Sequence, residues 1–349
     1  MTDIGIETLR SIHKMLLIDE PWTVWGERRF SWIGHRLAAD VEASEPFMSR
    51  GMLVCRLTTT ILVVEDVRAA QDMAEAAMAD LNQWASNGTF IYLADTLSVR
   101  MMFSNIVHSE TTGWRPTEHA TAHILSLAIT EREVDALAER LGGKVAQWSH
   151  PLSGPRRTPD ELLNVVEQLY APAGVEPSRF ADANEMHGVE EMARATGGIG
   201  VTLGRFADGI SIEVAFGKAD TTLIDMVTSV IHPLLGHGLS VLTTTRIVKS
   251  YAEACRIANQ LNVIQFAPGN VMSALGAWYV RTIGEDHYVA HVRFIPNLYF
   301  TPGYAVTCGT EAIDQAIWVD QVMHPDLPER FALPVVNDRL RRNGLPEVS

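Results

Sequence analysis

Residues 56–82 read RLTTTILVVEDVRAAQDMAEAAMADLN, and residues 241–262 read VLTTTRIVKSYAEACRIANQLN. Both hold Leu-Thr-Thr-Thr (Leu57–Thr60 and Leu242–Thr245), followed by an alanine-rich stretch that closes on Leu-Asn (Leu81-Asn82 and Leu261-Asn262). The first motif recurs after 242 − 57 = 185 residues and the second after 262 − 82 = 180, so one linker is five residues shorter in the second copy. A strand-like segment and a helix-like segment recurring in one order mark an internal duplication.

The likeness continues downstream. Gly88-Thr89-Phe90-Ile91-Tyr92 and Val99-Arg100-Met101-Met102-Phe103 are matched by Gly276-Ala277-Trp278-Tyr279-Val280 and Val289-Ala290-His291-Val292-Arg293-Phe294. Each pair is short, rich in aromatic and β-branched residues and bounded by turn formers, which predicts a β-hairpin. In the second copy Ile283-Gly284-Glu285-Asp286 makes the turn. Helix starts are expected at Thr130-Glu131-Arg132-Glu133 and Thr310-Glu311-Ala312-Ile313. Gly142-Gly143 should end the first of these helices. Ser250-x-x-Glu253 reads as a capping box, and Thr158-Pro159-Asp160-Glu161 as another that opens a connecting helix near 159–170. Strands are expected at 52–57, 59–64, 210–216 and 238–246. Leu223, Met226, Val227, Val230 and Ile231 fall at the helical period and predict an amphipathic helix over 221–235.

Each half thus reads helix, meander of strands, helix, hairpin, helix. Adjacent antiparallel strands with flanking helices predict an α+β fold of two tandem homologous units, rather than a doubly wound parallel sheet. The expected division is a first unit at 1–150, a linker with a helix at 151–184, a second unit at 185–325 and a C-terminal tail at 326–349.

Composition bounds the function. Of 349 residues 47% are hydrophobic and 20% charged, enough to fill a core and too apolar for a disordered chain. The net charge of −14 argues against sequence-independent nucleic-acid binding and against docking on an anionic membrane. Cys55, Cys255 and Cys308 are few and far apart, as buried apolar side chains in a reducing cytosol would be. Residues 1–19 lack the basic start and apolar block of a signal peptide, and no stretch reaches the length of a membrane span. A cytoplasmic protein without cofactor or metal is expected.

The order of elements, the alanine-rich helix ending in Leu-Asn and the aromatic hairpin after it resemble the YbjN family, itself related in fold to the type III secretion chaperones. The carrying residues are Ala252-Glu253-Ala254 through Asn259-Gln260-Leu261-Asn262, and their counterparts Ala74 through Leu81-Asn82. The resemblance spans about two thirds of the chain as two copies. It implies helix–sheet–helix units that dimerise or pseudo-dimerise and bind a protein or peptide partner rather than transform a substrate. Tandem fusion raises the choice between a homodimer and an intramolecular pseudo-dimer.

No Gly-x-Ser-x-Gly elbow, Walker loop or His-Glu-x-x-His occurs in the chain. Glu118-His119-Ala120-Thr121-Ala122-His123 is the sharpest chemical feature. On a helix His119 and His123 share a face and could chelate a metal, which makes a metal-binding protein or hydrolase the alternative reading. On a strand, which Ile124–Ile129 suggests, they would stand ~13 Å apart, too far for one ion. His287 and His291 meet the same objection, and His232 and His237 read as a helix end beside Pro233 and Gly236. Gly197-Gly198-Ile199-Gly200 with Gly204 follows an expected helix (Glu185–Ala195) and precedes a strand, the wrong order for a dinucleotide loop. Glu185, Glu190 and Glu191 read as a solvated helix face. Trp22, Trp25, Phe30 and Trp32 follow the first helix. Trp278, Tyr279, Phe294, Tyr299 and Phe300 line the second hairpin and are the candidate partner-binding residues, on an apolar groove or sheet edge. A small-ligand sensor with its site in the cleft between the halves is the remaining reading.

Overall fold

The structure, a computed structural model, describes residues 3–16, 20–49, 51–159, 176–196, 201–216, 220–245, 250–267, 270 and 272–323. The first half runs α1 (Ile4–Leu16), β1 (Thr23–Trp25), β2 (Arg29–Ile33), β3 (Ala38–Ala43), β4 (Phe47–Ser49), β5 (Met52–Glu65), α2 (Gln71–Asn82), β6 (Thr89–Leu93), β7 (Ser98–His108), α3 (Arg115–Leu141) and β8 (Lys144–Val145). The second runs α4 (Ala183–Thr196), β9 (Val201–Phe206), β10 (Gly209–Phe216), β11 (Asp220–Val227), β12 (Ile231–His232), β13 (Gly236–Thr245), α5 (Tyr251–Ile264), β14 (Ala277–Ile283), β15 (Asp286–Pro296) and α6 (Tyr304–Met323). The fold is α+β. The first sheet is ordered β1-β2-β3-β5-β7-β6 and the second β9-β10-β11-β13-β15-β14, strand for strand the same path. Even the short β4 and β12 pair with equivalent long strands, β5 and β13.

In the first unit α1 buries Leu9, Ile12 and Leu16, one stripe at helical spacing, against Leu57, Ile61 and Val63 of β5 and Val134, Leu137 and Leu141 of α3. Each such side chain contributes ~1.5–3 kcal/mol by leaving water. Gly142 ends α3 in the left-handed region (φ 59°), its N–H reaching back to Ala138 and Glu139, as the sequence implied. In the second unit Ile210, Ile212, Ile224, Met226, Leu239 and Val241 form the buried sheet face. A Cβ on Gly309 of α6 would stand 2.8 Å from Met192 of α4 and 3.3 Å from Met226 of β11, so this glycine sets how closely those elements approach.

The compact units are not continuous in sequence. One comprises 1–170 with 251–280, the other 171–250 with 281–349. Helix α5 therefore belongs with the first unit, where it packs on its counterpart α2. A contiguous second unit at 185–325 does not anticipate this, because helix packing leaves no mark on local periodicity.

Several local expectations are corrected. Residues 221–235 are not a helix: Asp220–Val227 is a strand paired on both sides, with Ile224 and Met226 buried and Leu223 exposed. Period two prevails over a coincidental helical spacing, because neighbouring strands supply the backbone partners. His232 and His237 accordingly lie on the paired ends of β12 and β13, not at a helix end. Residues 124–129 are not a strand but the middle of α3, which begins at Arg115 with Pro116 in its first turn. Thr130 sits inside that helix and its hydroxyl donates to Ser126 O (2.6 Å). Helix α6 likewise starts at Tyr304, ahead of Thr310. The connecting helix near 159–170, the glycines 197–200 and the tail at 326–349 lie outside the described residues, with Gly204 placed on β9.

The Leu-Thr-Thr-Thr motifs, oddly, are not equivalent. Thr59 meets His119 of α3, which puts Leu57 and Thr59 on the helix-facing side. In the second sheet Arg293 reaches Glu311 of α6 and lies opposite Val241, so Val241 and Thr243 face the helices and Leu242 faces away. The motifs are three residues out of register, and any odd offset moves every side chain to the other face. The true register follows from a repeated outward-facing pair: Ser31 donates to Asp40 across β2–β3, and Ser211 to Asp225 across β10–β11 (2.9 Å). Asp40 stands opposite Thr60, and Asp225 opposite Leu242. Leu57 thus matches Leu239, both fully buried.

Candidate functional site

A sheet edge presents a row of unpaired N–H and C=O groups that another chain can join. The edge strand β6 of the first sheet is closed. Asn82, the last residue of α2, donates from Nδ2 to Phe90 O (2.9 Å) and accepts Phe90 N–H at Oδ1 (2.8 Å). Asn259 of α5 does the same to Tyr92, at 3.0 Å each way. On β14, Asn262 takes both backbone groups of Trp278 at 2.8 Å. A carboxamide offers one acceptor and two donors, so it can occupy a strand residue as a neighbouring strand would. This explains the repeated Leu-Asn: it plugs the hairpin that follows. The opposite edge of the first sheet, β1, is only three residues long.

The remaining edge differs. Strand β9 spans six residues and is hydrogen-bonded along β10 on one side. Among the described residues nothing pairs with its other side. Val201 and Leu203 stand opposite Val214 and Ile212, on the helix-facing side, and are half-buried; Thr202, Gly204 and Phe206 are exposed. Helix α4 runs beside it, and its buried Glu190 pairs with Arg205 (3.3 Å) and Arg194 (3.1 Å). Glu185 is buried too: it accepts the N–H groups of Gly303 (2.6 Å) and Ala305 (3.2 Å) at the start of α6. Only Glu191 of the three carboxylates meets solvent, which corrects the expectation of a solvated face.

His119 and His123 do share a face, on α3, and both are sealed from solvent. His119 Nδ1 accepts from Asn105 Nδ2 (3.3 Å), which leaves the proton on Nε2 for Thr59 Oγ1 (2.9 Å), and its ring packs on Phe103 at 4.8 Å. His123 has no partner for either ring nitrogen. Burial pushes the pKa of His119 down to about 3, helped by its neighbour His123, and that of His123 to about 4. Both are neutral imidazoles at physiological pH. Among the described residues no three His, Cys, Asp or Glu side chains come together around a point that could hold a metal ion.

The aromatic candidates divide. Trp278 and Phe294 are interior, against their expected role on a partner surface; Phe294, on the face away from the helices, is covered by the ring of His232 at 5.0 Å. Tyr279, Tyr299 and Phe300 are half-buried, and Phe300 packs edge-on against Phe180 at 5.3 Å. His232 accepts the N–H groups of Leu234 (3.1 Å) and Leu235 (3.2 Å) and holds a turn. All three cysteines are buried thiols outside any disulfide. No described helix is long and apolar enough to cross a membrane.

Comparison with protein-family models, with curated proteins and with solved structures gave no match. The sequence places a strand after the glycines 197–200 without fixing its bounds; the alternation Val201–Phe206 before Ala207-Asp208-Gly209 is the signal that sets those of β9.

Proposed function

We propose that the chain is a non-enzymatic, chaperone-like polypeptide-binding protein of the cytoplasm, and that it receives an extended partner segment on the free edge of β9. One observation carries the reading: three strand-edge positions are plugged by Asn82, Asn259 and Asn262, β1 is cut short, and β9 is six residues long and, among the described residues, unplugged. Edges closed by dedicated side chains at some places and not at another favour use of the open one. The resemblance to the YbjN family rests on the order helix, strands, helix, hairpin, helix that each half has, and three buried thiols outside any disulfide suit a reducing compartment. Strand addition supplies affinity through main-chain bonds, and Val201 and Leu203 select apolar side chains at alternate positions of the guest.

A fluorescent array of octapeptides that alternate apolar and polar residues tests this. Leu203→Lys should weaken the best binder at least tenfold, since an edge lysine opposes strand addition. Leu152→Lys, at a 92% exposed leucine in the other unit, should leave it unchanged. Equal binding by wild type and Leu203→Lys would refute the docking edge.

A further inference from the structure

Strand β9 reads Val201-Thr202-Leu203-Gly204-Arg205-Phe206, and its register settles which backbone groups stand at the open edge. Phe206 pairs with Gly209 across a two-residue turn, so Phe206, Gly204 and Thr202 turn their N–H and C=O groups to β10. Thr228 N–H, which donates to Asp208 O (2.9 Å), fixes the same alternation from the β11 side of β10. Val201, Leu203 and Arg205 therefore turn theirs outward. Their side chains lie on the helix-facing side, where Arg205 reaches Glu190. Gly204 faces the other way. A Cβ there would meet nothing closer among the described residues than Ser211 at 3.7 Å, an ordinary contact, so the described fold does not call for glycine. Glycine inside a strand costs ~0.5–1 kcal/mol against alanine, and it marks places where another backbone comes close.

The chain carries a segment that fits this edge. Residues 324–349 follow α6 and lie outside the described residues. Their longest uncharged stretch is Phe331-Ala332-Leu333-Pro334-Val335-Val336-Asn337. Added antiparallel with Pro334 opposite Gly204, it sets Leu333 against Arg205, Val335 against Leu203 and Asn337 against Val201, each a pair that exchanges both main-chain bonds. Pro334 then stands at a non-bonded position. Its nitrogen is asked for no bond there, and its ring takes the room that Gly204 leaves. Parallel addition with Leu333 and Val335 inward would aim Pro334 at β9 and lose a bond. A proline on the new edge also stops further strands from joining. Helix α6 packs on α4, and α4 on β9. The ten steps from Met323 to Leu333 span up to ~33 Å of extended chain, against ~20 Å for the whole of β9.

We propose that residues 333–337 are the resident occupant of the β9 edge, and that a guest segment binds by displacing them. The inference rests on the reading of β9 as a docking edge and names what sits there between guests. A tethered strand meets its edge at a roughly millimolar effective concentration, so a free peptide has to compete with it.

Amide hydrogen exchange of the full chain, read residue by residue by NMR, tests it. In wild type the amides of Val201, Leu203 and Arg205 should exchange slowly. Val335→Lys should speed them at least tenfold, since a lysine set against Leu203 opposes pairing. The amides of Thr202 and Gly204, bonded to β10, should keep their rates. Equal exchange of the three outward amides in the two proteins overturns the tail's seat and leaves the edge to a guest. An equal rise at Thr202 and Gly204 overturns it as well, because the sheet itself has then loosened. Protection that grows with protein concentration overturns it in favour of a second copy. The best octapeptide should bind Val335→Lys at least tenfold tighter than wild type. Loss of protection without that gain supports the seat and overturns the guest. Should Val335→Lys not fold, Leu333→Lys decides by the same criteria.

Discussion

Acid should unfold the first unit through two buried imidazoles. His119 and His123 titrate in the folded chain at about 3 and about 4, against ~6.5 when unfolded. A base whose pKa is depressed by folding binds more protons when unfolded, so stability is intact above pH ~6.5 and falls as pH drops below it. The slope is ~1.36 kcal/mol per pH unit for each group. At pH 5 the unfolded chain has titrated ~1.5 units past its midpoint, and two groups cost ~4 kcal/mol, a large share of the ~5–15 kcal/mol that holds a domain together. Glu118, the residue before His119, is tied to Arg115. Urea denaturation of wild type and His123→Leu from pH 7.5 to 4.5 isolates one imidazole, since carboxylate titrations common to both proteins cancel. The variant should gain ~2 kcal/mol on wild type between pH 7 and pH 5. At pH 7 it should be no less stable, because leucine removes two nitrogens that have no partner. A stability difference that stays flat across this range would refute the burial argument.

Four further outcomes follow, the first three from side chains that hold backbone ends. Asn82→Ala and Asn262→Ala each strand a buried N–H and C=O, of Phe90 and Trp278, and should each cost ~2–4 kcal/mol by denaturant titration. Asn259→Ala uncovers Tyr92 at the edge of β6 and should produce concentration-dependent association in sedimentation velocity, which Leu203→Lys does not produce. Glu185→Ala, which frees the amides of Gly303 and Ala305, should lower stability by ~1–2 kcal/mol, and glutamine should recover part of the loss. Arg293→Met alone removes the cation that Glu311 and the Tyr304 hydroxyl share and should cost ~3–5 kcal/mol, whereas Arg293→Met with Glu311→Leu should recover most of it in thermal melts.

The duplication was legible because it repeats whole elements, but one of its two motifs misled. Leu81-Asn82 and Leu261-Asn262 are equivalent down to the atoms they bind, since the asparagine must reach one fixed strand residue. Leu57–Thr60 and Leu242–Thr245 look more alike and face opposite ways. A strand's identity to the eye is indifferent to register, and only cross-strand pairs such as Ser31 with Asp40 and Ser211 with Asp225 reveal it. The misreading of 221–235 has the same origin: Leu223, Met226 and Val227 share a helical face but straddle the two faces of a strand, and partners distant in sequence impose the strand. His119 and His123 were legible as a pair on one face, but their seclusion was not, because it depends on Phe103, Thr59 and Asn105 arriving from other strands.

The asparagine plugs tie the chain's architecture to its chemical ageing. Hydrolysis of a side-chain amide is slow, spontaneous and irreversible, and at Asn82, Asn259 or Asn262 it would set a carboxylate oxygen against the carbonyl of Phe90, Tyr92 or Trp278. The latch would then repel what it had held. An old molecule would open at the hairpins first, baring strand to its neighbours while its core stayed whole.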